Sequence, residues 1–165
     1  MLEPLGEAGA ESIEVVAGDR GTLGDASWRI AWPKPDAAPG NDASVVLDLE
    51  ASEYRAVFLG DLGEEAQARL LRSTDLGRAD VVKVAHHGSA DQSERIYEEL
   101  GATVGLIGVG ADNGYGHPTA HLLDLLAAAR TTVVRTDRSG TCTLTADGDR
   151  VFRLWSERGG VGARS

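Results

Sequence analysis

The sequence predicts an α/β domain built in layers. Three observations predict it: short apolar runs rich in Val or Leu and closed by turn signals, helical periodicity between the central runs, and runs without helices at both ends of the order. At 165 residues the chain is one domain, long enough to bury roughly 70% of the surface its unfolded form exposes. Gly is abundant at 21 residues and aromatics are sparse at 5%, so tight turns and small aliphatic side chains shape the interior.

Taken in order, residues 1–11 are acidic and without period and read as a disordered lead-in. Ile13 to Val16 is expected as a strand that forms a hairpin with Trp28 to Trp32, across a Gly/Asp turn from Ala17 to Asp25. Pro33, Pro35 and Pro39 impose an irregular loop to about Asp42, because each removes a donor and restrains the residue before it. Ser44 to Glu50 and Arg55 to Leu59 are apolar enough for central strands. Glu64 to Arg72 has helical spacing, with Ala66, Leu70 and Leu71 on one face and early Glu residues that suit the helix dipole.

Asp80-Val-Val-Lys-Val-Ala-His-His-Gly-Ser89 reads as a buried strand, Asp80 to Val84, that ends in two histidines. Asp91-Gln-Ser-Glu opens a helix that stops at Gly101, a residue common at helix C-termini. Val104 to Val109 is a strand, residues 110–116 a Gly-rich loop, and Pro118 the expected first residue of a helix carrying Leu122, Leu123, Leu125 and Leu126. Val133 to Thr136, Thr141 to Thr145 and Arg150 to Trp155 are the last three strands, the first two joined at Arg138-Ser-Gly140 and the last two at Asp147-Gly148. Residues 12–156 thus form the domain, and 157–165 a polar, flexible tail.

Charge and cysteine usage exclude some functions. A net charge of −10 with a pI near 4.8 argues against binding nucleic acid through a broad cationic surface, because phosphate neutralisation supplies most of that affinity. The single Cys142 rules out an internal disulfide and a zinc site of four cysteines, and in its alternating Thr-Cys-Thr-Leu-Thr run it reads as a packed strand residue. No apolar run approaches ~18 residues and no signal-peptide pattern opens the chain, so it is expected to be soluble.

Three strand ends carry candidate chemistry: Asp61, the pair His86 and His87, and His117. Each has a plainer reading, with Asp61 as a helix cap, His86 and His87 as solvated loop residues, and His117 as incidental to a helix start. If the strands share a sheet, a carboxylate and up to three imidazoles converge at one edge, a set that suits zinc or a similar divalent ion and a metal-acidified water. His121, on the helix opened by Pro118, reads as a solvated helix residue.

Gly60-Asp-Leu, Ala79-Asp-Val-Val-Lys-Val-Ala-His-His-Gly-Ser89, Asn113-Gly-Tyr-Gly-His-Pro118 and Arg135-Thr-Asp-Arg-Ser-Gly140 resemble the later half of the metallo-β-lactamase-like domain of ComEC-type DNA uptake (competence) proteins. Ala17-Gly-Asp-Arg20 and Asn41-Asp-Ala-Ser-Val-Val-Leu47 resemble it too, and together these pieces cover residues 13–155. The resemblance implies the C-terminal portion of an αββα sandwich, with a two-metal Zn or Mn site that degrades single-stranded DNA. It implies Asp61 as a bridging metal ligand and one of His86 and His87 as another, His87 being favoured because it abuts Gly88. The other histidine, His86, and His117 would contact phosphate or act as general acid. The parent would be a cell-membrane protein with this domain soluble and extracytoplasmic.

The departure matters as much as the match. The superfamily's main metal motif, His-x-His-x-Asp-His, is expected upstream, and no His precedes position 86. Either the chain is cut from a longer protein after that motif or it is a natural relative that has lost metal. The first is preferred, because the downstream site residues are all present. An isolated piece of this kind is expected to be inactive and prone to self-association through its cut faces. The alternatives are a non-catalytic module that docks protein, which the acidic charge suits, and another metallo-hydrolase acting on a phosphodiester or lactone.

Overall fold

The computed structural model describes residues 11–147 and 151–159, with Gly9 and the pair Gly162–Ala163. Its centre is a mixed sheet of seven strands in sequential order: β1 (Arg20–Leu23), β2 (Ala26–Trp32), β3 (Val46–Glu50), β4 (Arg55–Phe58), β5 (Val81–Lys83), β6 (Val104–Ile107) and β7 (Thr132–Arg135). The first four are antiparallel and β4 to β7 are parallel. Parallel neighbours need crossovers, and α1 (Glu64–Ser73), α2 (Glu94–Leu100) and α3 (Ala120–Ala128) provide them.

The helices bury one face of the sheet. Ala66 and Leu70 of α1, Ile96, Tyr97 and Leu100 of α2, and Leu122 and Leu126 of α3 pack against Val57, Val82, Val84 and Ile107. The opposite face carries Ala56, Val81, Val104 and Val134, which meet Phe152 and the partly buried Leu144 and Leu154 of a second, three-stranded sheet. That sheet is β8 (Cys142–Ala146), β9 (Phe152–Ser156) and β10 (Gly162–Ala163), in the order β10-β9-β8. The layers are therefore helices, a seven-stranded sheet and a small sheet. Among the described residues no helix is long and apolar enough to cross a membrane.

Four expectations are corrected. Ile13 to Val16 forms no strand; the hairpin partner of β2 is Arg20–Leu23, because Gly24, at a φ of 62°, allows a two-residue turn that pairs Leu23 with Ala26. The helix expected from Asp91 begins at Glu94, since the Asp91 carboxylate accepts from the Glu64 N–H of α1 at 3.1 Å instead. Pro118 is not the first helical residue. Thr119 is the cap, its hydroxyl accepting from Leu122 N–H at 3.3 Å, and the His117–Pro118 peptide is cis. Finally, β7 and β8 are not a hairpin. Arg135 clasps Asp137 at 2.6 and 3.0 Å, the chain turns through the short helix α4 (Thr136–Ser139), and it crosses from the large sheet to the small one.

Of the expected lead-in, all but Gly9 and Glu11 lie outside the described residues, as does Gly148 of the last expected turn. Within the expected tail, Gly162 and Ala163 pair with Leu154 and Arg153.

Asp48 on β3 holds the antiparallel end to the loop after α1. Its carboxylate, 5% exposed, accepts from Arg29 at 2.6 Å and from Arg55 twice at 2.8 Å, and Arg55 also donates to the carbonyls of Leu76 and Arg78. Burial pushes the Asp48 carboxyl up, yet the hydrogen bonds from Arg55 and Arg29, with their charges, together hold it below the usual carboxylate value. A depressed folded-state pKa contributes stability that is present above the unfolded value of 3.8 and lost as pH falls through the folded one. Asp48→Ala, which leaves Arg55 without its carboxylate, is expected to cost roughly 3 kcal/mol in urea unfolding and to remove part of the stability lost on acidification below about pH 4.

Gly88, which ends the turn after β5, lies close against Pro118 and against Leu122 of α3. It has a φ of 87°, and a Cβ there would stand 2.6 Å from Pro118 Cβ and 2.8 Å from Leu122 Cδ2. Gly88→Ala is expected to destabilise by about 2–3 kcal/mol, read as a lowered urea midpoint at unchanged slope.

Candidate functional site

Parallel pairing puts the C-terminal ends of β4, β5, β6 and β7 on one edge, and each contributes to a common cluster. The segment after β4 brings Asp61, whose N–H donates to the Ser44 hydroxyl at 3.1 Å. β5 ends in the turn Ala85–Gly88, where His86 (φ 45°) and His87 (φ 53°) both take the left-handed conformation ahead of Gly88. Left-handed backbone costs roughly 1–2 kcal/mol for each non-glycine residue and persists only where surroundings impose it. Here His86 N–H donates to Gly60 O at 3.0 Å, Ser89 N–H to His86 O at 3.0 Å, and Thr119 N–H to Gly88 O at 2.9 Å.

That backbone points the two imidazoles in different directions. His87 Nδ1 lies 2.7 Å from Gly108 O, a pure acceptor, so Nδ1 carries a proton, and in the neutral imidazole the lone pair is then on Nε2. Nε2 faces Asp61 Oδ1 at 3.9 Å, and both side chains are about half exposed. His86 turns the other way. Its Nδ1 meets the Asn41 amide nitrogen at 3.5 Å, and its ring stands edge-on to His117, centroids 5.9 Å apart.

The loop after β6 closes the cluster. Asn113 donates to His117 O at 2.7 Å and accepts from Tyr115 N–H at 3.0 Å, and Tyr115, 88% exposed, lies over His117 with centroids 6.2 Å apart. His87, Gly108, Asn113, Tyr115 and His117 line an open depression of about 340 Å³. Thr136, just past β7, fixes the loop's start: its hydroxyl accepts from Val109 N–H and donates to Val109 O, both at 2.7 Å.

The site residues read from the sequence thus stand together: Asp61 faces His87, and the His86 ring stands 6.5 Å from that of His87 and 5.9 Å from that of His117. His121 is exposed on α3. Sequence reasoning missed Lys83, Asn41, Asn113 and Thr136. Lys83 had a visible signal, a lysine inside a valine-rich strand; burial pushes its ammonium pKa down, the Asp61 charge opposes this, and Nζ donates to Val84 O at 2.8 Å. The other three act through loop contacts that no periodicity announces.

Zinc takes four protein ligands, or three with a water, at about 2.0–2.2 Å from nitrogen or oxygen. Asp61 Oδ1 and His87 Nε2 stand 3.9 Å apart, about 0.5 Å wider than two neighbouring tetrahedral ligands at those distances, and among the described residues no three His, Cys, Asp or Glu side chains come together to complete a shell.

No family model matches the chain. It is 33% identical over 143 residues to ComE operon protein 3 of Bacillus subtilis (strain 168), a match that takes in 86% of this chain and 18% of that protein. The chain is therefore similar to ComE operon protein 3 and spans about a fifth of that protein's length.

Proposed function

We propose that this chain supplies one wall of a metal-dependent phosphodiesterase or nuclease site in a longer DNA uptake protein of the cell membrane. In this reading its fold is the C-terminal portion of a metallo-β-lactamase-like αββα sandwich, and the domain is extracytoplasmic. The observation that carries the reading is the His87–Asp61 pair: an imidazole Nε2 held 3.9 Å from a carboxylate oxygen, with the Nδ1 proton directed at the Gly108 carbonyl. The likeness to ComE operon protein 3 supports the DNA uptake setting.

Asp61 and His87 are proposed as metal ligands, for Zn or Mn, with the remaining ligands drawn from residues outside this chain. A bound ion would neutralise phosphate charge and acidify a water. His86 accepts at Nδ1 from the Asn41 amide, which leaves its Nε2–H as a donor to a phosphate oxygen or leaving group. His117 lines the same wall and is given the same kind of role. Lys83 adds a positive charge beside Asp61. The partners are single-stranded DNA, reached through the complete site, and the rest of the same membrane protein.

A second reading is a non-catalytic surface that docks protein, favoured by the net charge of −10. The two are separated in the full-length parent, where Asp61→Ala and His87→Ala are each expected to reduce DNA processing at least about 100-fold. Unchanged processing would favour docking. For the isolated chain, calorimetric titration with zinc is expected to give affinity weaker than about micromolar, with no metal-dependent cleavage of single-stranded DNA, because two protein donors leave the shell open. Sub-micromolar zinc affinity or cleavage by the chain alone would overturn the view of it as one wall of a site.

A further inference from the structure

Beneath the histidine turn lies a polar network that an apolar core would not need. Gln67 of α1, Gln92, Tyr97 of α2 and Ser89 are all buried. The Gln92 carboxamide uses its whole hydrogen-bonding capacity: Oε1 accepts from Tyr97 O–H at 2.6 Å and Gln67 Nε2 at 3.0 Å, while Nε2 donates to Ala85 O and Ser89 Oγ, each at 3.2 Å. Ala85 and Ser89 are the residues on either side of the left-handed run His86-His87-Gly88.

We propose that Gln92 is the positioning residue of the histidine turn, its amide clamping both ends of the run so that His86 and His87 stay left-handed. The orientation of the amide is itself fixed. Its oxygen is the end that faces two donors, since Gln67 Nε2 also donates to Leu62 O at 2.7 Å, and Gln67 Oε1 is taken by Ser93 N–H at 2.8 Å. Burial pushes the Tyr97 phenol pKa well up, so it remains a donor across the ordinary pH range. The clamp therefore presents two N–H groups to the turn under all ordinary conditions, and it joins α1 and α2 to the tip of β5. Residues buried on two helices would thus set the direction of His87 without touching it. The proposal concerns the conformation of the turn and stands apart from any metal chemistry at Asp61 and His87.

The test is amide hydrogen exchange by NMR on the full chain, comparing Gln92→Leu and Tyr97→Phe with the parent. Gln92→Leu is expected to speed exchange at His86 and Ser89 about tenfold or more by local opening, with Val84 and Val104 changed less than about threefold. The carbon chemical shifts of His86 and His87 should move away from left-handed values. Tyr97→Phe, which removes one donor to Gln92 and the phenol's own contact with the Ala85 backbone while keeping the ring, should show the same selectivity at smaller size, and it carries the test if Gln92→Leu does not fold. Equal acceleration at all four amides would reduce Gln92 to a general contributor to stability and overturn the proposal. So would unchanged exchange at His86 and Ser89.

Discussion

The parallel pairing of β4, β5, β6 and β7 is the constraint on which the rest depends. Antiparallel strands joined by tight turns would scatter their ends over two edges of the sheet. Parallel strands place every C-terminal end on one edge and require a crossover between each pair, here α1, α2 and α3. One device therefore does two things: it covers one face of the sheet with helices, and it gathers Asp61, the histidine turn, the loop bearing His117, and Thr136 at a single rim. The open edge of such a sheet, beyond its strands' carboxyl ends, is where α/β domains commonly place ligands.

Polar contacts and close apolar packing both hold that rim. Residues 85–88 carry two left-handed histidines, a conformation unfavourable in isolation, and hydrogen bonds from three directions hold it: Gly60 from the β4 side, Gln92 from below and Thr119 from the start of α3. The histidine rings are then directed by backbone and amide partners, His87 by Gly108 and His86 by Asn41. The rim is accordingly organised by contacts among loops, while the distant antiparallel end depends on the charged cluster at Asp48.

Much of this was legible from residue order. Strand placement was readable wherever valines ran between turn residues, as at Val46, Val57, Val82 and Val134, and helix faces wherever leucines recurred at helical spacing. The failures were local competitions. Ile13 to Val16 looks like a strand, but the turn at Gly24 recruited Arg20–Leu23 instead. Asp91 looks like a helix start, but its carboxylate serves a neighbouring helix. A stretch of sequence does not reveal which of two partners a side chain will prefer when one of them is distant in the chain.

By itself, the sequence determined the alternation of strands and helices, the acidic surface balance, and the presence of Asp61, His86, His87 and His117 at strand ends, because periodicity and turn chemistry are local properties. It took the assembled fold to bring those ends to one rim, to turn the Nε2 of His87 rather than that of His86 toward Asp61, and to set Gln67, Gln92, Tyr97 and Thr136 behind them. The reason is physical. Those facts depend on strand order and on hydrogen bonds between residues as many as 45 positions apart, and such pairings exist only once the sheet has formed.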